Sequence, residues 1–177
     1  MAGPLIIPIF IPNRGCTRHC IFCNERIVSG APAPLPSADA LKERVLAYRR
    51  SARRRPSRIE IAFYGGTFTG MPRADQSALL ASAGACLREG LVDGLRISTR
   101  PDAVDADTAD FLRTAGVETV EIGAQSLVDD VLERSRRGHT AADVVRAVTL
   151  LKGKGFVTGV HLMPGLPGED EAAFDET

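Results

Sequence analysis

The chain has 177 residues, enough for one substantial hydrophobic core. Its 44% apolar and 25% charged residues are ordinary for a globular protein, and 22 basic side chains balance 22 acidic ones, so net charge directs it toward neither a nucleic acid nor a membrane surface. The longest apolar run, residues 5–11, is far too short to cross a bilayer, and no basic segment precedes it, so no membrane partner and a cytoplasmic location are expected.

Short β-type runs then alternate with longer runs of helical period. Residues 5–11 predict a first strand, followed by a loop that carries three cysteines. A Pro-rich linker, residues 31–36, leads to Ser37, a good N-cap, after which Leu41, Val45 and Tyr48 recur at helical spacing. Residues 58–64 predict a second strand ended by Gly65 and Gly66, and the next helix carries Leu80, Ala83, Leu87 and Leu91 on one face. A third strand spans 95–98 and stops before Pro101. Asp105 is the expected cap of a helix that bears Leu112 and is closed by Gly116. A fourth strand spans 117–122, and Ser126 is expected to cap a short helix through Leu132. Thr140 caps a further helix with Val144, Val145, Val148 and Leu151 inward, ended by Gly153 and Gly155. The fifth strand, 156–163, runs into Pro164-Gly165-Leu166-Pro167-Gly168.

This alternation predicts an α/β protein with a parallel sheet or (β/α) barrel, at roughly 30 residues per unit. Strand starts near 5, 58, 95, 117 and 156 fit about five βα units with a long first loop. Residues 169–177 read as the opening of another helix. The expectation is therefore that residues 1–177 are the N-terminal part of a larger domain, a partial barrel truncated at its C-terminus.

Of the four cysteines, Cys86 stands alone among helical alanines and reads as a buried structural thiol. The others form Cys16-Thr17-Arg18-His19-Cys20-Ile21-Phe22-Cys23, a C-x3-C-x2-C loop. Neighbouring thiols in a reducing compartment more often hold a metal or do redox chemistry than pair with each other. Three thiolates can each bind one iron of a [4Fe–4S] cubane and leave the fourth iron open, where S-adenosylmethionine (SAM) can chelate through its amino and carboxylate groups. The competing reading is a structural zinc with a distant fourth ligand, His19, His139 or His161. Zinc motifs favour paired C-x2-C units, and the sequence has no second pair. Two alternative functions follow: a non-catalytic iron–sulfur carrier, or a zinc-stabilised RNA-binding module. The latter rests on the basic run Arg49, Arg50, Arg53, Arg54, Arg55 and Arg58, which also simply complements a helix C-terminus.

The cysteine loop follows a first strand, and Phe22 fills the aromatic position before its last cysteine. In this it resembles the radical SAM superfamily. Later motifs are similar to the branch that holds the Elongator catalytic subunit and the oxygen-independent coproporphyrinogen III oxidases. They are Phe63-Tyr64-Gly65-Gly66-Thr67-Phe68, Ile97-Ser98-Thr99-Arg100-Pro101-Asp102, Glu121-Ile122-Gly123-Ala124-Gln125-Ser126, Arg137-Gly138-His139 and residues 160–168. The resemblance runs from about Pro8 to Gly168.

It implies metal ligands Cys16, Cys20 and Cys23, with the SAM amino group held by backbone at Gly65 and Gly66. Gln125 is implied to contact the ribose or substrate, and Arg137 to pair with the SAM carboxylate, with Arg134 and Arg136 as adjacent alternatives. Residues 160–168 would pack adenine, and His161 would take a polar position facing the barrel interior. Ser98, Thr99 and Arg100 offer hydrogen bonds at the barrel mouth, although Ser98 stands where the related oxidases carry a glutamate. The implied chemistry is reductive cleavage of SAM to methionine and a 5′-deoxyadenosyl radical that abstracts hydrogen from a substrate, tRNA or a small molecule. The implied partner is a one-electron donor such as flavodoxin or ferredoxin. No side chain is nominated as a general acid or base.

Overall fold

Residues of period-two apolarity build five strands: β1 (Leu5–Phe10), β2 (Ile59–Tyr64), β3 (Gly94–Thr99), β4 (Val117–Gln125) and β5 (Val157–Leu162). Helices α1 (Ala38–Ser51), α2 (Arg73–Arg88), α3 (Ala106–Thr114), α4 (Asp129–Arg134), α5 (Ala141–Gly153) and α6 (Glu171–Glu176) connect and follow them. The computed structural model describes residues 3–24 and 34–177, so residues 31–33 of the Pro-rich linker lie outside the described residues. Every strand pairs in parallel with the next one in the chain, in the order β1-β2-β3-β4-β5, which makes the sheet a partial (β/α) barrel of five units.

The two faces of this sheet differ in chemistry. On the helix-covered face Ile7 and Ile9, Ile61 and Phe63, Leu95 and Ile97, and Val120 and Ile122 are all buried. Each contributes about 1.5–3 kcal/mol by leaving water. On the other face the register aligns Ala62 with Arg96, Arg96 with Thr119, Ser98 with Glu121 and Gly123 with His161. That polar inner face is tied together by charge. Arg96 reaches Glu60 at 2.6 Å and also Glu121, while Glu121 further accepts from Tyr64 at 3.3 Å and meets His161 Nε2 at 3.1 Å. Burial works against the Arg96 charge, but its bonds to Glu121 and Glu60 outweigh that and raise the guanidinium above its ordinary value. Burial, with Glu121 adding to it, pushes the Tyr64 phenol up to about 12, so it stays protonated and donates.

Helix ends follow local chemistry. Ser37, Asp105 and Thr140 each accept a backbone N–H as N-caps, Thr140 in a full capping box with Asp143. Gly116 adopts φ +85° as α3 closes.

Four local expectations are corrected. Ser126 does not cap α4, whose N-cap is Val128. Its hydroxyl instead accepts from Val128 N and meets Thr177 Oγ1 at 2.9 Å, which stabilises the turn leaving β4. Val145 is 61% exposed, because the inward stripe of α5 is Val144, Ala147 and Leu151, and Val145 lies about 100° away from it. Leu91 lies beyond the end of α2, carried there by Gly90 at φ +68°, and packs on the core from the loop. Strand β4 runs on to Gln125, three residues past its expected end, and Gln125 closes it at φ +77°.

Candidate functional site

The chemistry-bearing segments gather at the C-terminal ends of the strands. There they enclose a cavity of about 250 Å³. Cys16, Cys20, Cys23 and Phe22 come from the loop after β1, Gly65, Gly66 and Thr67 from the turn after β2, and Ser98, Thr99 and Arg100 from the end of β3. Gly123 and Gln125 come from β4, and Arg137 from the loop after α4. Barrel enzymes place their sites at this end of the sheet.

The cysteine loop is fixed at its start by β2. Ile11 N donates to Tyr64 O at 2.7 Å, Asn13 N to Gly65 O at 2.8 Å and Thr67 N to Arg14 O at 2.9 Å. Two glycines make this approach possible. A Cβ on Gly15, which sits at φ +71°, would run into the Thr67 carbonyl, and one on Gly66 would run into the Arg14 and Ile11 carbonyls. Gly66 thus has a packing reason to lack a side chain, in addition to any contact with a ligand. Farther along the loop Ile21 N donates to Ser135 O at 3.2 Å and Cys23 N to Cys20 O at 3.0 Å.

Arg137 is 6% exposed and faces the cysteines. Its Nη1 donates to Cys20 Sγ at 3.2 Å, its Nη2 to Gly123 O, and its guanidinium lies 5.9 Å from the Phe22 ring centre. Burial pulls this guanidinium below its ordinary value, while nearby Cys20 works the other way. Behind it Arg100, bidentate on Asp102 at 2.9 and 3.0 Å, donates to the Arg137 carbonyl.

His139 is 6% exposed, and its Nε2 bonds Ala124 O at 3.1 Å. Burial, then Arg137 and Arg100, depress it to about 4. An unfolded histidine titrates near 6.5, so the unfolded chain binds more protons between those values. The stability gained by keeping this ring neutral is full above about pH 6.5 and is lost as pH falls toward 4. Urea unfolding at pH 7 and pH 4 should show a loss, on the order of 2 kcal/mol, that is missing from His139→Gln. Equal losses in the two proteins would refute this assignment.

Of the residues singled out from sequence, Cys16, Cys20, Cys23, Phe22, Gly65, Gly66, Ser98, Thr99, Arg100, Gln125 and Arg137 line the cavity, as does His19, one of the alternative zinc ligands. His161 does not. It lies on β5 with its ring on Glu121 and its side chain 54% exposed. The alternatives to Arg137 point elsewhere: Arg134 pairs with Asp130 at 2.7 Å, and Arg136 lines the depression behind the cysteine loop. Cys86 is buried in α2, and burial pushes its thiol up. Thr67, Gly123, Glu121, Arg96 and Glu60 had no role from sequence. Thr67 directly follows the glycine pair, and the alternation of Glu60, Arg96 and Glu121 with buried aliphatics was the available pointer to an inner polar face.

Among the described residues, no three His, Cys, Asp or Glu side chains gather around one point as a single ion requires. Ligands of a cubane each bind a different iron and need not share a point. Two of the proposed fourth zinc ligands, His139 and His161, are bonded to Ala124 and Glu121. The donor set, three thiolates with backbone glycines and a buried guanidinium around one cavity, fits a cluster and a SAM-like zwitterion better than zinc.

The chain is similar to the tRNA uridine(34) acetyltransferase of Methanocaldococcus jannaschii, with 41% identity over 76 residues that make up 43% of this chain and 14% of that protein. Its fold matches that of archaeal Elp3 from Methanocaldococcus infernus, with TM-score 0.72 and 21% identity over 98% of this chain and 41% of that one. It also matches coproporphyrinogen III oxidase from Escherichia coli, with TM-score 0.66 and 22% identity over 98% of this chain and 40% of that one. The chain therefore spans less than half the length of each of these proteins. The family model described as Radical SAM superfamily matches residues 10–177.

Proposed function

Since the chain belongs to the radical SAM superfamily, whose enzymes use a [4Fe–4S] cluster and SAM, we propose that it holds that cluster on Cys16, Cys20 and Cys23 and cleaves SAM reductively. Held there, the cluster would supply the electron for reductive cleavage of the SAM carbon–sulfur bond, the chemistry that yields methionine and a 5′-deoxyadenosyl radical able to take hydrogen from a substrate. The observation that carries this reading is the single cavity shared by three cysteines, Gly65, Gly66, Gln125 and Arg137.

The chain's own residues have positional tasks. The Gly65 and Gly66 backbone would face the SAM amino group, and Gln125, turned by its positive φ, would face the ribose or the substrate. Arg137 would face the carboxylate with its positive charge from the seat it holds on Cys20 and Gly123. Residues 160–168 would pack adenine: Leu162, Met163 and Pro164 line a small cavity that Gln125 shares. His161 would serve the interior from its seat on Glu121. The electron comes from a one-electron donor of the flavodoxin or ferredoxin class.

The likeness to an acetyltransferase of tRNA makes tRNA the first substrate to test, ahead of a small molecule. The arginine run does not strengthen that choice. Arg49 donates to Leu91 O and Arg58 binds Glu60 and Glu118, at the opposite end of the sheet from the cavity. Among the described residues no helix is long and apolar enough to cross a membrane.

The test is turnover of SAM by anaerobically reconstituted, reduced protein without added substrate. The expected products are 5′-deoxyadenosine and methionine in equal amounts. A cluster-loaded protein that neither binds nor cleaves SAM would favour the carrier reading.

A further inference from the structure

Two of the three cysteine sulfurs already have a buried hydrogen-bonding partner beside them. Thr67 Oγ1 lies 3.2 Å from Cys16 Sγ, and Arg137 Nη1 lies 3.2 Å from Cys20 Sγ. These partners are 2% and 6% exposed, respectively. Both are tied into the surrounding structure. Thr67 is pinned through its backbone, which donates to Arg14 O and accepts from Gly70 N at 3.0 Å, and Gly15 packs against its carbonyl. Arg137 is held by Gly123 O on its guanidinium and by Arg100 on its carbonyl. Cys23, by contrast, is exposed, and among the described residues its sulfur has no such partner.

We propose that Thr67 and Arg137 set the reduction potential of the cluster by donating to its ligand sulfurs, an inference that rests on the cluster reading above. A thiolate sulfur can only accept, so in the loaded protein the Thr67 hydroxyl is the donor. Reduction adds one electron to the cluster and moves no proton. The added negative charge is spread onto the sulfurs, where a hydrogen bond or a nearby cation stabilises it. Donors to the sulfurs therefore favour the reduced state and raise the potential. Burial strengthens both effects, because water does not compete for the donors. Thr67 and Arg137 are positioning residues in this role, acting on the electron through the sulfurs.

The experiment is a mediator titration of anaerobically reconstituted protein, followed through the paramagnetic signal of the reduced cluster, with iron content measured in every sample. Thr67→Val keeps the shape and removes the donor, and its midpoint should move to lower potential. Thr67→Ser keeps the donor and should stay near wild type. Arg137→Gln should also move lower, and Arg137→Lys less so, because it keeps the charge. A fully loaded Thr67→Val at the wild-type midpoint overturns the proposal, as does an equal shift in Thr67→Ser. If Thr67→Val does not load, Arg137→Gln decides on the same criterion. Failure of the wild type itself to take up a cluster would refute the function reading instead, so the two failures are distinct.

Discussion

Single replacement of Cys16, Cys20 or Cys23 by alanine is expected to abolish cluster loading, whereas Cys86→Ala should still take up about four irons per chain. The three loop cysteines share one cavity, and among the described residues no fourth cysteine lies there, so each loss leaves only two ligands. Cys86 sits inside α2, away from the cavity, 1% exposed and with its thiol pushed up by burial, which suits packing and not ligation. Iron and sulfide analysis with the visible absorbance of the reconstituted protein decides the matter. Loss of the cluster in Cys86→Ala, or its retention in any of the other three, would overturn the ligand assignment.

The second large effect concerns stability. Arg96→Met should destabilise the fold by about 3 kcal/mol, because it removes the cation shared by two buried carboxylates. The side chains of Glu60 and Glu121 are 5% and 9% exposed, and Arg96 lies between them. Removing the cation leaves two like charges on the inner face, with Arg58 as the remaining partner of Glu60 and Tyr64 and His161 as those of Glu121. Changing Glu60 and Glu121 to glutamine together with Arg96→Met should recover most of the loss, because uncompensated charge and not lost packing is the cause. Urea denaturation of the single and triple variants reads both. A single variant within 1 kcal/mol of wild type would show that water reaches and screens the pair.

The alternation of helix and strand was legible because one sheet face is covered by helices and reads as Ile61 and Phe63, Leu95 and Ile97, or Val120 and Ile122. The caps at Ser37, Asp105 and Thr140 were legible because they act within four residues. What escaped was set by tertiary partners. Ser126 has the right chemistry for a cap, but it is engaged by Thr177, 51 residues away. Val145 is apolar, yet lies off the buried stripe of its helix. The cysteine loop and the glycine pair announced the site by spacing. The bond from Thr67 to Cys16 also spans 51 residues, and nothing in either local sequence predicts it. The Glu60–Arg96–Glu121 chain was hidden for the same reason: its members come from three strands and meet only through register.

Because each strand pairs with its immediate successor, the sheet can grow in the order of synthesis, each new strand docking on the one before it. The cysteine loop emerges first, but Arg137 follows Cys20 by 117 residues. At 5–20 residues per second the ribosome needs roughly 10 s to supply it. For that interval the thiols are displayed on a nascent chain without the guanidinium that later backs them. Until residues 135–137 follow, the loop has neither the Ser135 carbonyl to which Ile21 N donates nor the Arg137 guanidinium on Cys20.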